Sequence, residues 1–424
     1  VADDLSIGRE TGAGNNTTAA ADGSLTLGSN SAITLGTATD LATLNIGWSQ
    51  NANRYSNGAS ATGVLNALER DAAINLHVTE LNVGRGTPWG FGHGTLMWDQ
   101  TEVMDAASVY IGRGNAIGTL DVPVGGELHL GTDTTPTSNL FIALNDAGSG
   151  TATADVDFSA SNPTFTAFVA DDLSIGRETG AGNNTTAAAD GSLTLGSNSA
   201  ITLGTATDLA TLNIGWSQNA NRYSNGASAT GVLDTTAGSF IATLDTLRIG
   251  QTTNFGGASG HFIMGSGSSI TTTTVDIGMG AGGNGTLTVL GDALTFTGAG
   301  SALNFGTGAL EVPGGSFTLG SAAEAVAALR IAYNNFGTGT ATTAINFAVS
   351  NPTFTAFVAD DLSIGRETGA GNNTTAAADG SLTLGSNSAI TLGTATDLAT
   401  LNIGWSQNAN RYSNGASATG VLDT

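Results

Sequence analysis

Paired carboxylates are the first residues in this chain with the means to do chemistry. Asp3-Asp4 recurs as Asp171-Asp172 and Asp360-Asp361. Adjacent acids can act as general acid and base only when a partner group is held opposite the bond to be broken. These pairs return at offsets of 168 and 189 residues, whereas catalysis needs one assembled site. Each directly precedes a strand-like run, a common place for Asp to satisfy turn backbone groups, so the expected role is structural. The four histidines, His77, His93, His129 and His261, show neither His-x-His nor His-Glu-x-x-His spacing, and no catalytic metal is expected. Cysteine is absent, which removes disulfides and thiolate sites. Gly280–Gly285 lacks the Lys and following helix of a phosphate loop and the Asp of a calcium-binding Gly-Gly-x-Gly-x-Asp repeat. The chain reads as no enzyme, with no cofactor.

A second set of residues is basic and aromatic: Arg9, Trp48, Arg85, Arg113, Arg177, Trp216, Arg366 and Trp405. Each stands directly after a Leu-x-Ile-Gly phrase or a conservative variant of it. That phrase occurs thirteen times, with its Ile position at Ile7, Ile46, Val83, Ile111, Ile142, Ile175, Ile214, Ile249, Ile277, Phe305, Ile331, Ile364 and Ile403. If successive repeats stack in register, neighbouring Arg and Trp lie about 4.8 Å apart and can form cation–π contacts of about 0.5–2 kcal/mol. A Trp48 ring more than about 6 Å from both Arg9 and Arg85 would contradict such a ladder. A rival use of the same column is sugar stacking on exposed Trp, with Tyr55, Tyr223 and Tyr412 close by in sequence.

The elements that must position these residues follow from the same phrase. Its spacing of 26 to 39 residues is the mark of a stacked-repeat architecture. Leu and Ile point one way and the middle residue the other, with Gly closing the strand. Each repeat carries two further short strands, as in Leu25-Thr26-Leu27-Gly28 and Ile33-Thr34-Leu35-Gly36 before Leu44-Asn45-Ile46-Gly47. Three half-buried strands per coil predict an all-β, three-sided parallel β-helix (a β-solenoid) of about 12–13 rungs, and crossover handedness favours a right-handed coil. The best helical-looking run is Ala322–Arg330, of which Leu329-Arg330-Ile331 reads as strand. Extra length falls mostly at the corner after Leu-x-Ile-Gly, including Arg9–Gly23, Trp48–Gly63, Arg85–Gly94, Gln251–Gly260 and Tyr333–Thr343. In a solenoid such insertions project along one edge and commonly form the binding face.

Residues 1–65, 169–233 and 358–422 are identical. The chain therefore reads as one continuous solenoid over 1–424 and as a window on a longer tandem array. It carries 34 acidic residues against 11 basic ones, all Arg, for a net charge of −23. That balance argues against nucleic acid as a partner and leaves loose association of Ca²⁺ with the acidic surface as the cation expectation. No apolar run approaches the roughly 18 residues of a membrane-spanning helix. Outward Thr, as in Thr271–Thr274, could suggest an ice-binding plane, but Thr is also a favourable strand residue and the rungs are uneven. The overlapping sequons in Asn15-Asn16-Thr17-Thr18 would accept a glycan only in the right secretion pathway.

The Leu-x-Ile-Gly phrases, joined to runs such as Gly285-Thr286-Leu287-Thr288-Val289 and Gly191-Ser192-Leu193-Thr194-Leu195-Gly196, resemble the repeats of secreted bacterial β-solenoid proteins. Autotransporter passengers and filamentous-haemagglutinin-like adhesins are the nearest families. The resemblance spans the whole chain, implies an extracellular or cell-surface location and an adhesive or scaffolding role, and carries over no catalytic residue. Gly92-His93-Gly94 echoes a short motif of pectin-cleaving β-helix enzymes, without the surrounding acids and bases. The expected function is a structural protein of an extracellular filament, sheath or surface fibre, with copies of itself as head-to-tail and lateral partners. The alternative is an adhesin that binds glycans or a receptor through the loops after Leu-x-Ile-Gly.

Overall fold

A computed structural model describes residues 3–424 other than 56–57, 220, 222, 225, 254–255, 291–293, 297–299, 314–315, 373, 395–396 and 408–412. Strands make up 65% of the chain and helix 1%. They form two long sheets. A thirteen-stranded sheet runs in strict chain order from Ala19–Thr26 to Gly415–Asp423, one strand per repeat, and a nineteen-stranded sheet holds all the Leu-x-Ile-Gly strands. Neighbouring strands pair in parallel, as in Leu5 with Leu44 and Ile7 with Ile46, then Leu44 with Leu81 and Ile46 with Val83. The same register continues through Leu173 with Leu212 and Leu212 with Leu247 to Leu362 with Leu401. This architecture fits a parallel β-solenoid.

The register has a simple cause. Leu and Ile of every phrase face one interior, so a slip of one residue would move the whole apolar set outside. Those from Leu44 to Ile364 join a single core with Leu, Val and Phe from the other strands, whereas Leu401 and Ile403 of the last phrase are 48% and 44% exposed. Ring pairs fill the wider rungs, Phe158 with Phe165 at 4.7 Å and Phe347 with Phe354 at 4.5 Å. Each such side chain taken fully from water stabilises the fold by about 1.5–3 kcal/mol before entropy is counted.

Two expectations are corrected. The Gly of the phrase ends the strand only after Ile277 and Phe305; in most rungs the strand runs on through it. Gly47 sits in the left-handed region at φ +70° inside the strand Ala42–Ser49, and pairing resumes with Arg9 opposite Trp48. A Cβ on Gly47 would lie 1.9 Å from the carbonyl oxygen of His93, on the thirteen-stranded sheet. The glycine therefore lets the two backbones touch at this corner, and its kink reverses the in–out alternation. The residue after it emerges on the outer side instead of entering the core.

Second, the three short strands expected per coil are not kept everywhere. Ala73–Arg85, Val103–Arg113, Thr164–Glu178, Ser239–Thr252, Ser268–Ile277 and Thr353–Glu367 each run on as one strand through the corner before Leu-x-Ile-Gly. In four of them a register shift marks the bend, for instance opposite Ala42/Thr43 and Thr137/Asn139. One extra residue bends a strand without a turn.

The longer connections fall mostly at the expected corner, after Leu-x-Ile-Gly. The connections after Leu-x-Ile-Gly range from two residues, 114–115, to nine, 50–58. The preceding corner also projects, as six-residue turns at 36–41, 131–136, 204–209 and 320–325. The single short helix among the described residues, Phe347–Ser350, lies elsewhere, and Leu329-Arg330-Ile331 is strand, within Val326–Asn334.

Candidate functional site

The column after the glycines runs in register along the nineteen-stranded sheet: Arg9 opposite Trp48, Trp48 opposite Arg85, Arg85 opposite Arg113, Arg177 opposite Trp216 and Arg366 opposite Trp405. Arg9 lies 4.6 Å and Arg85 4.8 Å from the centroid of Trp48, one from the rung on each side. Arg177 sits 4.6 Å from Trp216, and Arg366 4.7 Å from Trp405. Arg113 meets no Trp; it lies 4.1 Å from Tyr110, whose ring stacks on Phe141 at 5.1 Å. Arg177 continues that stack at 5.8 Å from Phe141.

Several members were not expected from the sequence. Arg248 covers Trp216 at 4.7 Å, opposite Arg177, and Tyr333 lies between Arg330 at 5.3 Å and Arg366 at 5.6 Å. Tyr110, Phe141, Arg248 and Arg330 all occupy the middle position of Leu-x-Ile. The left-handed glycine places that position and the post-glycine residue on the same outer side. The available signal was an Arg or aromatic residue where Ser or Asn is usual.

Carboxylates lock the guanidinium groups in place. Asp4, Asp172 and Asp361 pair with the Arg five residues on, at 3.4, 2.6 and 2.6 Å. Asp172 also accepts hydrogen bonds from Ser174 at 2.7 Å and from Asn213 of the next rung at 3.0 Å. The second Asp of each pair thus lies inside the strand and binds ladder side chains, not turn backbone. Burial raises the Asp172 pKa despite Arg177 and these bonds. Glu80 bridges two like charges, Arg85 at 3.3 Å and Arg113 at 3.0 Å. Burial opposes its ionisation, but the charge of Arg113 and the bond from Asn82 bring its pKa below the ordinary value. Where the aromatic rings stop, polar groups carry the column on: Asn304 donates to Asp276 at 2.9 Å and accepts from Arg330 at 3.0 Å.

The long loops are rooted one residue beyond the ladder. Glu178 is buried, accepts a hydrogen bond from Ser217 of the next rung at 2.8 Å, and accepts the backbone N–H of Gly180. Glu10 and Glu367 make the same bonds to Ser49 and Ser406. Burial raises the Glu178 pKa against those bonds. Further out, Asn53 donates to the carbonyl of Ala13 at 3.0 Å and to Asn15 at 2.9 Å, and Asn221 repeats the pattern with Ala181 and Asn183.

With an Arg on each face, Trp48 and Trp216 have no open ring for a sugar. The exposed aromatics among the described residues are instead Tyr55 and Tyr223, 58% and 59% accessible in loops of identical sequence, and Trp89 at 40%; Tyr412 lies outside the described residues. The histidines are dispersed, His77 bonding Asp105 at 2.7 Å and His129 bonding Thr166 at 2.6 Å. Among the described residues no group of three or more His, Asp or Glu is placed to hold a metal. No described helix is long and apolar enough to cross a membrane. Comparison with known protein families, characterised proteins and solved structures finds no match for this chain.

Proposed function

We propose that the chain is a non-enzymatic structural unit of an extracellular filament, sheath or surface fibre, a three-sided, right-handed parallel β-helix whose coils stack end to end. The observation that carries this reading is interchangeability. The identical units accept different neighbours in one register: Leu173 follows Leu140, whereas its copy Leu362 follows Leu329. Above them, Leu44 is covered by Leu81, and its copy Leu212 by Leu247. A stacking surface made of backbone bonds, Leu/Ile columns and a guanidinium over an aromatic ring is generic, so further copies of the same chain fit it. Twelve rung spacings give a rod of about 60 Å. The strong negative charge favours lateral neighbours joined by divalent cations such as Ca²⁺ over direct contact. Electron microscopy of the native material tests the reading; isolated monomers with sealed ends would count against it.

The second reading is a surface adhesin. It is favoured by Tyr55 and Tyr223, held exposed at the tips of identical, hydrogen-bonded loops. Glycan-array binding that disappears when residues 50–58 and their counterparts are replaced by a short turn would support it.

A further inference from the structure

We propose that the notch between two projecting corner turns binds an uncharged saccharide, with a pyranose ring laid across Phe168. The notch arises from the alternation of rungs. Turns 131–136 and 204–209 belong to rungs two apart, while the strand between them, Thr164–Glu178, passes the corner with no turn. Two rung spacings of about 4.8 Å set the two turns about 10 Å apart, backbone to backbone, over a floor formed by that strand.

The slot encloses about 320 Å³ and is lined by Asp133, Pro136, Phe168, Ala170, Thr202 and Asp208, among others. Its walls are set by their own bonds. Thr132 N–H donates to the Thr135 carbonyl at 2.9 Å, and Thr205 N–H donates to that of Asp208 at 2.7 Å. The same floor sequence recurs at Phe357–Ala359, but the cleft beside the turn 320–325 is lined by Phe296, Ser301 and Glu324 and not by Phe357, so the proposal is confined to the notch at Phe168.

A pyranose ring has an apolar C–H face and a rim of hydroxyls. It matches an apolar floor bounded by a few hydroxyl and carboxylate acceptors. The acidic walls, with no Arg in the lining, repel anionic sugars. The inference does not rest on the filament reading, and it places sugar contact at a different corner from the loops that carry Tyr55.

Calorimetric titration of the intact chain with neutral trisaccharides of glucose, mannose and N-acetylglucosamine, and with a glucosamine trisaccharide as cationic probe, tests it. The expected result is saturable binding of a neutral trisaccharide. Phe168→Ala should weaken it about tenfold. Ala170→Trp, which fills the notch and removes no side chain from the floor, should abolish it. A variant with shortened loops at 50–58 and 218–225 should bind as the parent does. Failure of every neutral trisaccharide to saturate at millimolar concentration, binding by the glucosamine probe alone, or binding lost only in the loop variant would overturn the proposal.

Discussion

Trp48 and Trp216 occupy the same place in two identical 65-residue units, yet different kinds of position supply the Arg on their upper face. Arg85 comes from the residue after a glycine, in register with Trp48. Arg248 comes from the middle of Leu247-Arg248-Ile249, while the residue in register with Trp216 is Gln251. The ring-to-guanidinium distances are 4.8 and 4.7 Å. What the two regions share is a cation over the ring, not a residue number in the repeat. The left-handed glycine makes this possible, because it places both columns on one side of the sheet.

The largest effect is expected from removing that device. Gly47→Val and Gly215→Val each put a side chain at positive φ, with the Cβ 1.9 Å from the carbonyl oxygen of His93 or Ser259. Each should cost more than about 3 kcal/mol or prevent folding. Denaturant unfolding of both variants checks this, and a loss below about 1 kcal/mol in either would remove the glycine from the account. Next, Trp48→Ala and Trp216→Ala should each lose about 2–4 kcal/mol, through two stacked guanidinium groups and the packing around them. Equal losses would show that the source of the second Arg is immaterial.

Arg85→Gln and Arg248→Gln sharpen the comparison further, at about 0.5–2 kcal/mol each. Double-mutant cycles with the facing Trp should return similar coupling energies. A coupling near zero for Trp216 with Arg248 alone would mean that only the in-register contact matters. The smallest effect concerns pH. Burial raises the pKa values of Asp172 and Glu178, so the folded state holds their protons more tightly than the unfolded chain does. Their ionisation weakens the fold, and stability should rise as pH falls from 7 through their folded values. Glu80, with its lowered pKa, acts in the opposite sense only at lower pH, as it loses charge through its folded value. Thermal midpoints should therefore rise as pH falls from 7 towards the ordinary carboxylate range of about 4; a fall across the whole of that range would contradict these burial effects.

Much of this was legible in the residues. Leu and Ile at a fixed spacing must share one interior, and that alone sets repeat and register. Arg9, Trp48 and Arg177 announced a ladder because they follow the same glycine. Tyr110, Phe141, Arg248 and Arg330 did not, because simple alternation gives no hint that a kink brings the middle position beside the post-glycine one. The strands that run through the corner were missed for a different reason. Rungs with a turn carry Leu-Gly there, as at Leu35-Gly36, Leu130-Gly131 and Leu203-Gly204, with the glycine at φ +59° to +72°. Continuous rungs carry Val78-Thr79, Val169-Ala170 or Val358-Ala359. The signal was present, but it marks a left-handed turn only once the pairing on both sides is known.

On the proposed function, rungs of this chain stack on any copy of themselves, and cryo-electron microscopy of the native assembly is the decisive experiment. Unbroken parallel rungs about 4.8 Å apart are expected to run from one copy into the next, with every ladder Trp covered by Arg on both faces. Discrete particles whose outermost rungs are closed by unrelated structure would contradict it.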